Sequence, residues 1–149
     1  GNNVAHSLMI CGSMLGVNVK ICSPKGFEPD TQIVEKAKSL SEFGSKISIF
    51  NDPSNAVKES QVIYTDVWAS MGQENEQSNR KEIFENYKVD QKLIGLTDQE
   101  VMILHCLPAH RGEEITEEAL ESPSSYVFDQ AENRLHVQQA LLAVQLGGL

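Results

Sequence analysis

A handful of side chains in this sequence could do chemistry together. Asp66 closes one apolar run and is followed by Ser70, Met71 and Gly72; His105, Cys106, Leu107 and Pro108 close another. Asn2 and Asn3 stand at one end of the sequence, and Arg134 lies near the start of its last helical stretch. A carboxylate, a thiol, two amides, a hydroxyl and a guanidinium suit a small zwitterion bound beside an anion. Each has a plainer reading when taken alone. The asparagines make good helix caps, Asp66 could cap a turn, Cys106 could be a buried structural thiol, and Arg134 could pair on the surface with Glu132 or Asp129.

What brings them together is the order of elements. Val4, Leu8, Cys11 and Leu15 recur at helical spacing behind the Asn2-Asn3 cap, and Gly12 and Gly16 would let that helix approach a sheet closely. Residues 17–22 alternate like a strand. A second helix is predicted behind Asp30 or Thr31, with Ile33, Ala37 and Leu40 inward and Gly44 as its end. Residues 47–50 and 61–65 read as strands, separated by a short helix opening on Asp52-Pro53. Asn79 with Glu82 resembles a capping box for a helix carrying Ile83, Phe84 and Tyr87. Residues 101–104 read as a strand covered on both faces, 113–121 as a solvated acidic helix, and 126–128 as a last strand before a long terminal helix after Asp129. This alternation defines an α/β class, a three-layer αβα, Rossmann-like domain with a mainly parallel sheet. In such sheets ligands gather beyond the carboxyl ends of the strands, where Asp66 and Cys106 fall. The terminal helix carries two apolar stripes, Val137, Leu141 and Val144 on one side and Leu135, Leu142 and Leu146 on another. One stripe is expected on the sheet, the other on a surface outside this chain.

The chain has 149 residues, 40% hydrophobic and 22% charged, which fits one globular domain. Twelve basic against 21 acidic residues leave a net charge of −9, which disfavours nucleic acid and anionic membrane as partners. No apolar run approaches the ~18 residues of a spanning helix. Three cysteines, Cys11, Cys22 and Cys106, cannot all pair, so a reducing, cytoplasmic setting is expected.

Four segments then fall into a recognisable order: Gly1-Asn2-Asn3, Asp66-Val67-Trp68-Ala69-Ser70-Met71-Gly72, His105-Cys106-Leu107-Pro108 and Ala131-Glu132-Asn133-Arg134. From end to end the chain resembles the ornithine-binding, C-terminal half of ornithine carbamoyltransferases. The resemblance implies transfer of a carbamoyl group from carbamoyl phosphate to the side-chain amine of ornithine, giving citrulline and phosphate, with no cofactor and no metal. It implies that Asn3, Asp66, Ser70 and the backbone of Met71 hold ornithine. Asp66 would also lie near the attacking amine, with Cys106 and the Leu107 carbonyl at the reacting centre. Arg134 would reach carbamoyl phosphate, and the Leu107–Pro108 bond would be cis. The family chemistry is direct attack by the amine, so Cys106 is not read as a nucleophile.

The family's Ser-x-Arg-Thr phosphate motif is absent, with Ser78-Asn79-Arg80-Lys81 the nearest approach. So is its His-Pro-x-Gln motif, and its Gly-Asp-Gly-Asn-Asn turn is represented only by Gly1-Asn2-Asn3. Residues 1–149 are therefore expected to be one domain, inactive alone, whose partner is an N-terminal carbamoyl-phosphate domain within a homotrimer. The polar loop from Trp68 to Asn79 is expected to act as a closing lid. Three rivals fare worse. A non-catalytic binding or assembly module with a decayed site is disfavoured because Asp66, Ser70, Cys106 and Arg134 are all present. A dinucleotide site needs Gly-x-Gly-x-x-Gly after a strand and an acid at the end of the next, neither of which is present. A metal centre at His105, Cys106 and His110 lacks paired ligand spacing.

Overall fold

The computed structural model describes residues 2–69, 77–97 and 100–147, with side chains for all but 77 and 78. Helix α1 (Asn3–Met14) opens on Asn2, whose side chain accepts the Ala5 N–H. Strand β1 (Val19–Cys22) follows, and then α2 (Thr31–Ser39), capped by Asp30. Next come β2 (Ile47–Phe50), the short α3 (Pro53–Ala56) with Asp52 as cap and Pro53 in its first turn, and β3 (Val62–Thr65). Beyond it are α4 (Gln77–Phe84), a 3-10 turn (Glu85–Tyr87), α5 (Gln91–Ile94), β4 (Met102–His105), α6 (Glu117–Leu120) and α7 (Val127–Gln145).

All paired strands run parallel, as expected, but they form two pairs rather than one continuous sheet: β1 with β2, and β3 with β4. Two apolar clusters follow the same division. Met9, Val34 and Ala37 fill one, under β1 and β2; Ile63, Val101, Ile103, Ile115, Leu120 and Val127 are central to the other. Between the pairs runs a cleft with a cavity on each face, about 810 Å³ and 520 Å³, both walled by β1 and β3.

Several expectations change. On α1 the core takes Met9 and Ser13, while the stripe Leu8, Cys11 and Leu15 stays open along the cleft. Gly12 does bring α1 against β1, since a Cβ there would sit 2.6 Å from Val19 Cγ2. Gly16 instead lies beyond the helix at φ +76°, the left-handed conformation that releases a chain from a helix end. Helix α2 stops at Ser39, short of Gly44. Helix α4 begins at Gln77, so Asn79 lies inside it and is no cap. Val101, just ahead of β4, and Ile103 within it are buried but Met102 is 38% exposed, so the strand is not covered on both faces.

Of the acidic stretch only α6 is helical, because Thr116 caps it there by accepting the Ala119 N–H; Glu114 is fully buried ahead of it. Residues 126–128 are not a strand. One bridge from Ser125 to Ile103 is all that forms, and α7 starts at Val127, whose side chain is buried. Packing of that one side chain overrides the strand preference of the triplet. Neither apolar stripe of α7 rests on the sheet: Leu135, Val137, Leu141, Leu142, Val144 and Leu146 are all more than half exposed. Among the described residues, no helix is long and apolar enough to cross a membrane.

Candidate functional site

Strands β3 and β4 lie side by side in register, Thr65 opposite His105, so the residues that follow each strand emerge together. That register delivers Asp66 and Cys106 to one point. The Cys106 thiol donates to Asp66 Oδ1 at 3.0 Å, and Asn2 Nδ2 donates to Asp66 Oδ2 at 2.7 Å. Asp66 Oδ1 also accepts the Val67 N–H at 2.8 Å. The start of α1 is thus tied to the ends of both strands through one carboxylate.

Burial, then the hydrogen bond and charge of Asp66, push the Cys106 thiol up to about 12. At neutral pH it holds its proton, which agrees with reading it as a hydrogen-bond donor rather than a nucleophile.

Behind Cys106 the turn is fixed by His105, which is buried. Its Nδ1 accepts the Leu107 N–H at 2.8 Å, so its proton sits on Nε2 and points to Glu114 Oε1 at 3.0 Å. Glu114 also accepts the His110 N–H at 2.6 Å. Burial alone would raise the Glu114 carboxyl, but the hydrogen bonds from His105 and His110 outweigh it and leave the group below its ordinary range. Leu107 has φ +55° and the Leu107–Pro108 bond is cis, as expected.

The mouth of the larger cavity reaches Asn2 and Asp66 and is framed by an aromatic group. Phe84 packs edge-on to Phe27 at 5.0 Å and lies 6.0 Å from Trp68 and 5.8 Å from Tyr87. Arg80 sits over the Phe27 ring and donates to the Trp68 carbonyl at 3.0 Å.

Of the sequence-predicted residues, Asp66, Cys106 and Leu107 meet at this site. Asn3 is the first residue of α1 and is exposed; its neighbour Asn2 makes the contact with Asp66. Arg134 lies exposed on α7, one turn beyond Gln130, whose side chain does reach the site. Ser70, Met71 and most of the expected lid fall outside the described residues. The sequence reading missed Asn2 as a partner of Asp66, and it missed Tyr64, Gln130 and Glu114 altogether. Tyr64 and Gln130 gave no signal beyond lying next to quoted motifs. Glu114 was hidden in an acidic run that reads as solvated surface.

Ligand atoms of His110, Glu113 and Glu114 come within 4.8 Å of one another. Glu113 is already paired with Lys81 at 2.7 Å and Glu114 Oε1 with His105, while Glu114 Oε2 is buried without a hydrogen-bond partner.

Parallel strands whose carboxyl ends present a carboxylate and a thiol beside a helix start define a Rossmann-type α/β ligand-binding domain. Comparison with known proteins refines the class. The family model for the aspartate/ornithine carbamoyltransferase Asp/Orn-binding domain matches residues 1–145. The chain belongs to that family. Ornithine carbamoyltransferase of Prochlorococcus marinus is 65% identical over 149 residues, and that of Parasynechococcus marenigrum 58%. In both cases the match takes in 100% of this chain and 47% of the relative. The solved ornithine carbamoyltransferase from Pyrococcus furiosus superposes with a TM-score of 0.93 at 51% identity, covering all of this chain and 48% of that one. The chain thus spans about half the length of the curated relatives it matches.

Proposed function

We propose that this chain is the ornithine-binding domain of an ornithine carbamoyltransferase, which transfers the carbamoyl group of carbamoyl phosphate to the side-chain amine of ornithine. The observation that carries the reading is the Asp66–Cys106 contact at the carboxyl ends of β3 and β4, with Asn2 on the second carboxylate oxygen. The family match supports it.

An alkylammonium has a pKa near ~10 and no free lone pair, so the site must favour the neutral amine and aim it at the carbonyl carbon. Asp66 offers a carboxylate to accept from the amine, and Cys106 stands beside it. Asn3, Ser70 and the Met71 backbone complete the hold on the amino acid, and the Leu107 carbonyl faces the reacting centre. Negative charge that grows on the carbonyl oxygen and the departing phosphate needs fixed cationic donors. Arg134 is one, and the rest come from an N-terminal carbamoyl-phosphate domain. The 149 residues alone are therefore inactive. The assembled enzyme is a cytoplasmic homotrimer working without metal or cofactor.

Turnover and calorimetry test this reading. Citrulline should form with the full-length protein and not with the 149-residue chain. Asp66→Asn in the full-length protein should lower kcat/KM for ornithine by about 100-fold or more, the scale of losing one charged contact at the reacting centre. An unchanged kcat/KM in Asp66→Asn, or citrulline from the chain alone, would overturn the corresponding part of the proposal.

A further inference from the structure

His110, Glu113 and Glu114 lie between the cis Leu107–Pro108 bond and α6, and they turn three metal-ligating side chains toward one spot. A ring nitrogen and two carboxylate oxygens, one atom from each residue, all lie within 4.8 Å of one another. Two acids beside a histidine are by themselves ordinary surface. Glu114 makes this trio different. Its side chain is fully buried, and its Oε1 takes both the His105 Nε2–H and the His110 N–H, whereas its Oε2 has no hydrogen-bond partner. That orphan oxygen faces the trio: His110 Nδ1 stands 3.8 Å from it, too far for a hydrogen bond. A buried carboxylate oxygen is costly without a partner, and where no N–H or O–H reaches it the partner that suits it is a cation.

We propose that His110 Nδ1, a Glu113 carboxylate oxygen and Glu114 Oε2 form a binding site for a divalent transition-metal ion of the Zn2+ class. One imidazole nitrogen with two carboxylates suits Zn2+ or Co2+, whereas Mg2+ and Ca2+ ask for oxygen alone. Two carboxylates and a neutral imidazole also balance a charge of +2. In a tetrahedral zinc centre with bonds of about 2.1 Å, ligand atoms stand about 3.4 Å apart. The 3.8 Å between His110 Nδ1 and Glu114 Oε2 is a little wide, and the His110 side chain, 47% exposed, is free to close it and to leave a remaining position for water. Lys81 of α4 already sets one positive charge on Glu113 at 2.7 Å, so the ion and the ammonium compete for that carboxylate. His105 and Cys106 are not ligands, because His105 Nε2–H is spent on Glu114 Oε1 and the Cys106 thiol on Asp66. The ion takes no step in carbamoyl transfer, and the inference does not rest on the proposed function. Its effect is to brace the turn behind Cys106 while loosening the tie of α4 to Glu113.

The test titrates the full-length protein with Co2+, whose visible d–d absorption reports its ligands. A saturable band should appear, and His110→Ala or Glu113→Gln should weaken the affinity behind it by about 100-fold, at least what losing an outer-shell partner of a metal ligand costs. Lys81→Met should act the other way and tighten binding by about tenfold, because the competing positive charge is gone. The absorption that disappears in His110→Ala should carry no thiolate-to-metal charge transfer. Substitution at these partly exposed positions should leave the far-UV circular dichroism unchanged; should one of the weakening variants misfold, Lys81→Met decides, since a gain in affinity is not a product of misfolding. No binding below about 1 mM Co2+ would overturn the inference, and so would an affinity unchanged in folded His110→Ala, weaker binding in Lys81→Met, or thiolate charge transfer in the component that His110→Ala removes. None of these readouts involves turnover, so a failure here is separable from a failure of the proposed activity.

Discussion

Cys106 and Asp66 stand forty residues apart in sequence and 3.0 Å apart in space, sulfur to carboxylate oxygen. Neither residue lies in a regular element. Each is the first position after a strand, and the parallel register of β3 on β4 alone makes them neighbours. The thiol keeps its proton and lends it to the carboxylate as a hydrogen bond.

That retained proton can be read with an alkylating reagent. Cys11 is exposed, whereas Cys106 is held up to about 12. Iodoacetamide at pH 8 should label the exposed Cys11 quickly and Cys106 far more slowly, because a thiol raised to about 12 is almost wholly protonated there. Peptide mass mapping after timed quenching measures it; equal labelling would contradict the burial and the Asp66 contact.

Glu114 supports the turn after Cys106 from beneath. Glu114→Ala leaves His105 Nε2–H and the His110 N–H without their buried acceptor, and should cost about 3 kcal/mol in urea unfolding. The carboxyl is lowered in the folded chain, so its contribution is present above the ordinary carboxylate range and lost as pH falls through its own, lower value. The gap in stability between the parent chain and Glu114→Gln should accordingly narrow on acidification below pH ~4. A gap that widens would invert the assigned direction.

Gly12 sets the distance between α1 and β1. Gly12→Ala would gain helix propensity of about 1 kcal/mol but must push a Cβ into Val19 Cγ2 at 2.6 Å, a stiff β-branched side chain. Overpacking costs of roughly 1–3 kcal/mol make the net change destabilising. Adding Val19→Ala should recover part of the loss, a coupling that a double-mutant cycle of unfolding midpoints will show.

Thr116 decides where the acidic stretch becomes helical. Thr116→Ala removes the side-chain acceptor of the Ala119 N–H and should cost about 1 kcal/mol in thermal unfolding. A change within a few tenths of a kcal/mol would mean that burial of Ala119 and Leu120, not the cap, fixes α6.

Locally encoded features were legible in the sequence. Strand β2 has the expected bounds, and α3 opens on Asp52-Pro53, because alternation, an aspartate cap and a proline in the first turn act within a few residues. Residues 126–128 misled because a β-branched residue between aromatics favours a strand, and only the burial of Val127 against β4 and its neighbours turns the segment into a helix start. Glu113 and Glu114 look alike in sequence, yet one pairs with Lys81 at the surface and the other is buried under His105. Asp66, Cys106 and Leu107 were found through motifs. Asn2, Tyr64 and Gln130 were not, since each acts by reaching a residue from 64 to 66 or 25 positions away, a relation that no local spacing records.

The division of the strands into two pairs has a practical outcome. Along the cleft, β1 and β3 each present a row of backbone N–H and C=O groups that no described strand takes up. Such rows are templates for foreign strands, and two-stranded parallel ribbons are poor at persisting alone. Purified at high concentration, this polypeptide will tend to self-associate edge to edge, and charged or proline substitutions facing the cleft will do more for its solubility than changes on its acidic outer surface.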